Sequence, residues 1–249
     1  MNLKIKSKYV TSYRTDRIGM KIYGILWTKD FCEKNNLIYV HTPLPKPFES
    51  IFNLGYGCLP IYKFRKNELN IFTHKTDLTN LSANGLIDNF CEGFRNNIIE
   101  KYNPVNKSFK KKDKLKICIH IRRGDTEALN EDQYTLRYVE DDYINNVLNC
   151  IHKKITKPFK IHIHSDSLLD MSRYNTHGME IKTCFNDTKI EDVMSDMISC
   201  DILFRKGISA FSGVCAFYNT NLVVSDPPVG FENLYRQENT LTLSDFLKQ

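Results

Sequence analysis

The chain has 249 residues, of which 41% are hydrophobic, and it carries a formal net charge of +6. This length and apolar content are enough to bury a sizeable core, either as one large domain or, as we favour, as two smaller ones. The mild basic excess suits an anionic ligand, but the chain lacks the basic stripe or known module of a nucleic-acid-binding protein.

Cysteine usage and hydropathy indicate the compartment. The eight cysteines form no CxxC pair, and several lie within apolar runs, where thiols behave as small hydrophobic side chains. The first ten residues, MNLKIKSKYV, have no apolar signal-peptide core, and no run approaches the roughly 18 apolar residues of a membrane span. We therefore expect a soluble, cytoplasmic protein without an integral membrane segment.

The first half of the sequence opens with a strand, a helix and a second strand. Residues 9–13 and 37–41 have the character of strands, and isoleucines at helical spacing lie between them. Prolines and glycines then make residues 42–80 rich in loops. Because specificity elements tend to lie on loops, this segment is suited to binding an acceptor.

A composition change separates the two halves. Helical spacing returns over residues 86–102, and the proline- and lysine-rich residues 103–114 are typical of a linker. We therefore predict an N-terminal, acceptor-side domain over residues 1–112 and a C-terminal, donor-binding domain over residues 113–249.

The second half alternates strands and helices more regularly, which predicts a parallel, doubly wound sheet and an α/β fold. The predicted strands are residues 117–121, 159–164, 180–184, 201–204 and 222–225, and the helices between them are residues 142–153, 188–198 and 209–218.

The most informative stretch is ICIHIRRGD, at residues 117–125. Its short β-branched run predicts a buried strand that reaches the surface at Arg122. Arg122 and Arg123 then deliver two guanidinium groups, whose planar forks fit the paired oxygens of a phosphate or carboxylate. Gly124 allows a sharp turn or a close approach to a ligand.

Polar residues follow three of the predicted strands, where the carboxyl ends of a parallel sheet meet at one edge. In chain order these residues are Arg122, Arg123 and Asp125, then Ser165 and Asp166, then Gly207, Ser209 and Ser212. The last group opens a helix, whose amides and hydroxyls attract anions, so the arginines and the helix together predict a diphosphate site. Asp166 is a candidate for a ribose hydroxyl or a base edge.

Other interpretations of the same residues remain open. The two arginines could pair with Asp125 or Glu127 as a structural ion cluster, and the serines could be ordinary helix caps. His162, His164 and Asp166 alternate along one predicted strand and its end, an arrangement that permits a metal site, although histidines in mid-strand more often have hydrogen-bonded roles.

Three motifs resemble the GDP-fucose-dependent α-1,2/α-1,6-fucosyltransferase superfamily, of the glycosyltransferase family 11 type. HIRRGD is similar to its HxRRxD signature, IHIHSDS is similar to its strand that ends in Ser-Asp, and DVMSDMISCDILFRKGISAFSG is similar to its helix, Cys-Asp strand and serine-rich turn. The resemblance covers about residues 118–228. In place of the family's Gly-rich first turn the chain has TDRIGMK, so the acceptor and the linkage are not carried over.

The resemblance implies a GT-B fold, with two Rossmann-like domains whose parallel sheets face each other across a cleft. It also implies catalysis without a metal or other cofactor, and it gives roles to individual residues. His120 would lie near the guanine or ribose, Arg122 and Arg123 on the donor diphosphate, Asp166 on the nucleoside, and Ser209 or Ser212 on phosphate.

We therefore predict an inverting glycosyltransferase that transfers L-fucose from GDP-fucose to a hydroxyl of a glycan acceptor. Arg122 would stabilise the leaving diphosphate, and Asp125 or Glu127 would accept the proton of the acceptor hydroxyl. The alternatives are a transferase for another GDP- or UDP-sugar, a non-catalytic nucleotide- or phosphate-binding module, and an interaction protein that binds an acidic partner or nucleic acid through its basic residues 107–116.

Overall fold

The computed structural model describes residues 5–73, 100, 114–124, 126, 137–185, 189–206, 209–226 and 239–248. The chain divides into two compact units, Met1–Val105 and Asn106–Gln249. The predicted boundary between residues 112 and 113 lies outside the described residues and stays a prediction.

The first unit is built on a four-stranded parallel sheet with the strand order β3-β2-β1-β4. Its elements are β1 (Tyr9–Ser12), α1 (Ile18–Lys34), β2 (Ile38–His41), α2 (Phe48–Phe52), β3 (Leu59–Pro60) and β4 (Asn70–Phe72). The predicted strand–helix–strand opening is confirmed as β1, α1 and β2. The segment predicted to be loop-rich also contributes α2, β3 and β4, which are short. The predicted helix over residues 86–102 lies outside the described residues, apart from Glu100.

Helix α1 packs closely against the end of β1. A Cβ atom on Gly24 would lie 2.6 Å from Cδ of Arg14 and 2.7 Å from Oγ of Ser12, so a larger residue here would displace these two side chains. Ile22 and Leu26 of the same helix are fully buried. The tight crossing fixes the start of the first βαβ unit.

The second unit contains a six-stranded parallel sheet with the strand order β10-β9-β8-β5-β6-β7. Its strands are β5 (Leu115–Ile121), β6 (Phe159–Ser165), β7 (Ile181–Cys184), β8 (Ile202–Lys206), β9 (Leu222–Asp226) and β10 (Thr240–Leu241), and its helices are α3 (Asp141–Lys154), α4 (Ile190–Ser199), α5 (Ala210–Tyr218) and α6 (Leu243–Lys248). The predicted parallel, doubly wound sheet is confirmed. The strand β10 adds to its edge, next to β9, and the helix α6 follows β10 in the chain.

The two faces of this sheet are both buried but differ in chemistry. On the apolar face, Ile117, Ile119 and Ile121 pack against α3 residues such as Ile144 and Leu148. The opposite side of the sheet, here called the polar face, carries the alternating residues of the same strands. It includes Lys116, Cys118, His120, His162, His164 and Arg205; of these six all are buried except His162, which is half-buried. Helices α4 and α5 lie over the polar face, as their contacts below show.

Candidate functional site

The strand order places the candidate site at the point where the sheet reverses direction. From β5 the chain winds outward through β6 and β7, and it then returns to β8 and winds outward on the other side through β9 and β10. In this doubly wound arrangement ligands bind outside the carboxyl ends of the two central strands. Here these strands are β5, which Arg122 follows directly, and β8, which precedes Ser209 in the chain.

The side chain of Arg123 is held by three hydrogen-bond partners from different parts of the second unit. Its guanidinium donates from Nε to the Val139 carbonyl at 2.9 Å, from Nη1 to Oη of Tyr174 at 3.1 Å, and from Nη2 to Oδ1 of Asp141. Tyr174 donates to the same Asp141 oxygen at 2.6 Å. Burial works to raise the pKa of Asp141, but the hydrogen bonds from Tyr174 and Arg123 lower it overall, so the carboxylate stays ionised.

The geometry therefore gives Arg123 a structural task. Its side chain is 8% exposed and binds the start of α3, at Asp141, to the residues that directly follow β5. This corresponds to the structural ion cluster considered from the sequence, but with a different carboxylate as the partner. A direct contact between Arg123 and the donor stays a prediction.

Asp166, at the end of β6, also holds this loop. Its Oδ1 accepts hydrogen bonds from the backbone amides of Arg123, at 2.7 Å, and Gly124, at 3.0 Å. A Cβ atom on residue 124 would lie 2.5 Å from the Asp166 carbonyl oxygen, so the close approach requires glycine. Asp166 thus fixes the backbone directly after Arg122. Its predicted contact with the nucleoside stays a prediction.

His120 is buried next to three cationic or titratable neighbours. It pairs in register with His164 of β6 on one side and Arg205 of β8 on the other. Burial, followed by the charges of Arg205, His164 and Arg122, lowers the pKa of His120 to about 3. Its imidazole is therefore neutral at physiological pH, and within the described part of the chain its Nδ1 has no hydrogen-bond partner. A neutral ring can accept or donate one hydrogen bond to a ligand.

The two predicted serines differ in their surroundings. Ser209 is the residue before α5 and makes no side-chain capping bond, although it is almost completely buried. The fully buried Ser212 accepts a hydrogen bond from Nε of Arg205 at 3.3 Å and donates to the Ser209 carbonyl at 3.4 Å. Its hydroxyl thus faces the sheet. Phe211, between them, brings its ring centroid to 6.0 Å from that of His120, so the first turn of α5 lies above His120.

Among the described residues, His120 thus lies close to Arg122 and beneath the first turn of α5, which Ser209 precedes, while Asp166 and Arg123 support the loop. The predicted carboxylates Asp125 and Glu127 lie outside the described residues, as does Gly207.

Sequence reasoning missed Arg205, a fully buried arginine that also donates from Nη1 to Oγ of Ser225 at 2.8 Å. The signal was present, because an arginine inside the apolar run DILFRK requires a buried partner. Asp141 and Tyr174 were also missed. Nothing in their local sequence indicates that they meet at Arg123.

Among the described residues, no helix combines the length and the apolar character that crossing a bilayer requires.

Comparison with known proteins gave structural matches only. No family model matches the sequence, and no curated protein matches it. The dodecameric iron-containing heptosyltransferase TibC, solved with ADP-D-β-D-heptose, matches with a TM-score of 0.53 and 9% identity over 96% of this chain and 63% of TibC. The NodZ α-1,6-fucosyltransferase of Bradyrhizobium, soaked with GDP-fucose, matches with a TM-score of 0.43 and 12% identity over 92% of this chain and 97% of NodZ. An Arabidopsis thaliana FUT1 variant in complex with GDP matches with a TM-score of 0.47 and 11% identity over 96% of this chain and 73% of that chain.

At these identities the comparisons address the fold and not the activity. The likeness to TibC covers nearly the whole chain and agrees with the two parallel sheets described above. The predicted fold class, α/β of the GT-B type, is therefore confirmed.

Proposed function

We propose that the chain is an inverting glycosyltransferase that transfers L-fucose from GDP-fucose to a hydroxyl of a glycan acceptor. One observation carries the proposal: Arg122, the neutral His120 and the start of α5 meet at the reversal point of a doubly wound sheet. This is the place where such sheets bind nucleotides, and a cation next to a helix N-terminus is suited to a diphosphate.

The chemistry assigned to the site is a single displacement. The acceptor oxygen attacks the anomeric carbon of the sugar as the bond from that carbon to the diphosphate breaks, and GDP leaves with the bonding electrons. Arg122 and the amides at the start of α5 stabilise the charge that develops on the leaving diphosphate. Arg123 and Asp166 act indirectly, since they hold the backbone of Arg122 in place.

Transfer also needs a base that accepts the proton of the acceptor hydroxyl. Asp125 and Glu127 are the candidates, because a carboxylate within hydrogen-bonding reach of the acceptor hydroxyl can take its proton during attack. We propose no metal for this step, so the positive charge comes from the protein.

Support for the donor comes at two levels. The shared fold with TibC, which was solved with a nucleotide-activated heptose, favours a sugar donor carried on a nucleoside diphosphate. The narrower choice of GDP-fucose depends on the similarity of HIRRGD, IHIHSDS and the serine-rich turn to fucosyltransferase motifs. The acceptor is proposed to be an oligosaccharide or other glycan.

The proposed compartment is the cytoplasm. None of the seven described cysteines takes part in a disulfide, and six of them are buried, which supports a reducing environment.

Calorimetric titration tests the donor site. The protein is titrated with GDP, GDP-fucose, UDP and inorganic phosphate in the presence of EDTA, and release of GDP is then followed with glycan acceptors. We expect selective binding of GDP and GDP-fucose. Arg122→Ala is expected to lower kcat/KM by about 100-fold or more, as removal of one group that stabilises a developing anion typically does.

Arg65→Ala is the matched control, because Arg65 is an exposed arginine of the first unit and its loss should leave donor affinity unchanged. Normal turnover by a folded Arg122→Ala protein would contradict the proposal. Binding of GDP with no transfer to any acceptor would instead favour the non-catalytic nucleotide-binding module.

A further inference from the structure

Three potential metal ligands meet on the polar face, beneath α4. His162 and His164 lie two residues apart on β6, and Asp196 extends from α4. Oδ2 of Asp196 lies 2.7 Å from Nδ1 of His162 and 3.5 Å from Nε2 of His164, and the three ligand atoms all lie within 4.8 Å of one another. The two rings are nearly perpendicular, at 81°, so both can direct a nitrogen at one carboxylate oxygen.

This cluster differs from the one that the sequence permitted. The alternation of His162, His164 and Asp166 placed the carboxylate on the same strand, but Asp166 binds the backbone amides of Arg123 and Gly124. Asp196 replaces it from a position 34 residues after His162. The two histidines are those that the sequence indicated, whereas the carboxylate is a different one, which only the folded chain brings to them.

The spacing of these atoms fits a small divalent ion. Metal–ligand bonds of about 2.0–2.1 Å in a tetrahedral site separate neighbouring nitrogen and oxygen ligands by about 3.3 Å. The two separations from Oδ2 of Asp196, 2.7 and 3.5 Å, lie on either side of that value; the three ligand atoms lie within 4.8 Å of one another, so the two imidazoles draw closer when an ion binds. Imidazole nitrogens together with a single carboxylate favour zinc-type ions over calcium or magnesium, which prefer oxygen ligands alone.

The surroundings of Asp196 orient it for such a site. Nζ of Lys116 lies 3.4 Å from the other carboxylate oxygen, Oδ1, which leaves Oδ2 toward the histidines. Hydrogen bonds to the outer atoms of a ligating carboxylate are a regular feature of metal sites. A fourth donor is also close, since Sγ of the fully buried Cys118 lies 3.9 Å from Nε2 of His164. A tetrahedral zinc site places sulfur and nitrogen about 3.6 Å apart.

We propose that His162, His164 and Asp196 bind one divalent transition-metal ion of the zinc type, with the sulfur of Cys118 as the fourth ligand. The ion joins β5 and β6 to α4 and acts as a structural crosslink. On binding, the thiol proton of Cys118 and any proton shared between His162 and Asp196 leave to solvent, so affinity falls at acid pH. The site lies under α4 and adjoins the proposed donor site, because His164 pairs in register with His120, but it takes none of its four ligands from the residues proposed to hold the donor.

Cobalt and zinc binding to the full-length, tag-free protein tests the site. After treatment with EDTA and removal of the chelator, the protein is titrated with Co²⁺ and then with Zn²⁺. We expect one equivalent of Co²⁺ to give the visible absorption of a four-coordinate site, with a sulfur-to-cobalt charge-transfer band that Cys118→Ser removes. Zn²⁺ should displace the cobalt and raise the Tm, because the ion binds the folded state.

Two variants locate the ion. Changes in the groups around a ligand typically cost about 10–100-fold in metal affinity, so loss of a ligand itself in His162→Gln or Asp196→Asn is expected to cost more than about 100-fold. His152→Gln is the matched control. The rings of His152 and His177 stack with their centroids 4.2 Å apart, so they form a second pair of neighbouring imidazoles outside the proposed site. That variant should keep full affinity.

The outcomes separate the alternatives. Absence of stoichiometric binding by the wild-type protein would overturn the proposal, whether or not the variants fold. Binding that persists in both His162→Gln and Asp196→Asn would also overturn it and would leave the cluster a hydrogen-bonded ion network with Lys116. Binding at His162 without a sulfur charge-transfer band would overturn the assignment of Cys118.

Discussion

The two faces of the six-stranded sheet are both largely buried but are built from different side chains. Ile117 and Ile119 on one face and Cys118 and Arg205 on the other are all completely inaccessible to solvent. Apolar burial stabilises the unit, whereas buried polar groups cost free energy unless they are hydrogen-bonded. Arg205 donates hydrogen bonds to the hydroxyls of Ser212 and Ser225. One face therefore provides stability, and the other places polar chemistry beneath the carboxyl edge of the sheet.

The largest expected loss of stability comes from a substitution on the apolar face. Ile119→Ala should lower the free energy of unfolding of the second unit by about 2–5 kcal/mol, because it leaves a cavity in the core. Ile119→Val is the graded control and should cost about 0.5–1.5 kcal/mol. Denaturant unfolding measures both, and GDP affinity of the folded variants should equal that of the wild type. A large loss of affinity in folded Ile119→Val would show that the two faces are not separate in function.

A smaller effect is expected where the polar face meets the loop. Asp166→Ala leaves the amides of Arg123 and Gly124 without their acceptor, which should cost about 1–3 kcal/mol of stability and weaken donor binding. Asp166→Asn keeps an oxygen acceptor and should be milder in both respects. Equal loss of GDP affinity in the two variants, with unchanged stability, would instead indicate a direct contact between this carboxylate and the nucleoside. Denaturant unfolding and calorimetry on the same samples separate these results.

The pH dependence of stability tests the neutral state of His120. Its pKa is lowered to about 3 in the folded protein, so below the unfolded value of 6.5 the unfolded chain binds a proton that the folded protein does not. Stability should therefore fall with decreasing pH, by about 1.4 kcal/mol between about pH 7.5 and about pH 5.5 from this residue.

His120→Gln should remove that part of the slope. His152→Gln, at an exposed position, is the control and should leave it in place. The measurements are made with EDTA present to exclude metal ions. An unchanged slope in His120→Gln would mean that folding does not lower the pKa of His120.

The smallest effect is expected at the rim of the arginine network. Arg173 forms an ion pair with Asp141, but its side chain is 60% exposed, so solvent screens the pair. Arg173→Ala should cost only about 0.2–1 kcal/mol, whereas Arg123→Ala in the buried part of the same network should cost several times more. Denaturant unfolding compares the two, and similar losses would show that the network is solvated throughout.

Local pattern predicted the elements well because hydrophobic periodicity is a property of neighbouring residues. The strand predicted over residues 117–121 extends over Leu115–Ile121, and the helix predicted over residues 142–153 extends over Asp141–Lys154. The sequence also placed Arg122 and Ser209 at the same edge. It could not show that Arg123 would turn inward to Asp141 and Tyr174, because those residues are 18 and 51 positions away.

The alternation of buried strands and helices can be predicted from the order of the residues alone, and with it the parallel sheet and the edge where polar residues collect. That order also determines that charged and titratable residues alternate with isoleucine along β5 and β6. The partners of these residues depend on how the elements pack. The order of the strands and the position of α4 bring together residues that are distant in sequence, so Asp196 meets His162 and Asp166 meets the loop of Arg122. Hydrogen bonds act over about 3 Å, and that proximity exists only after the chain has folded.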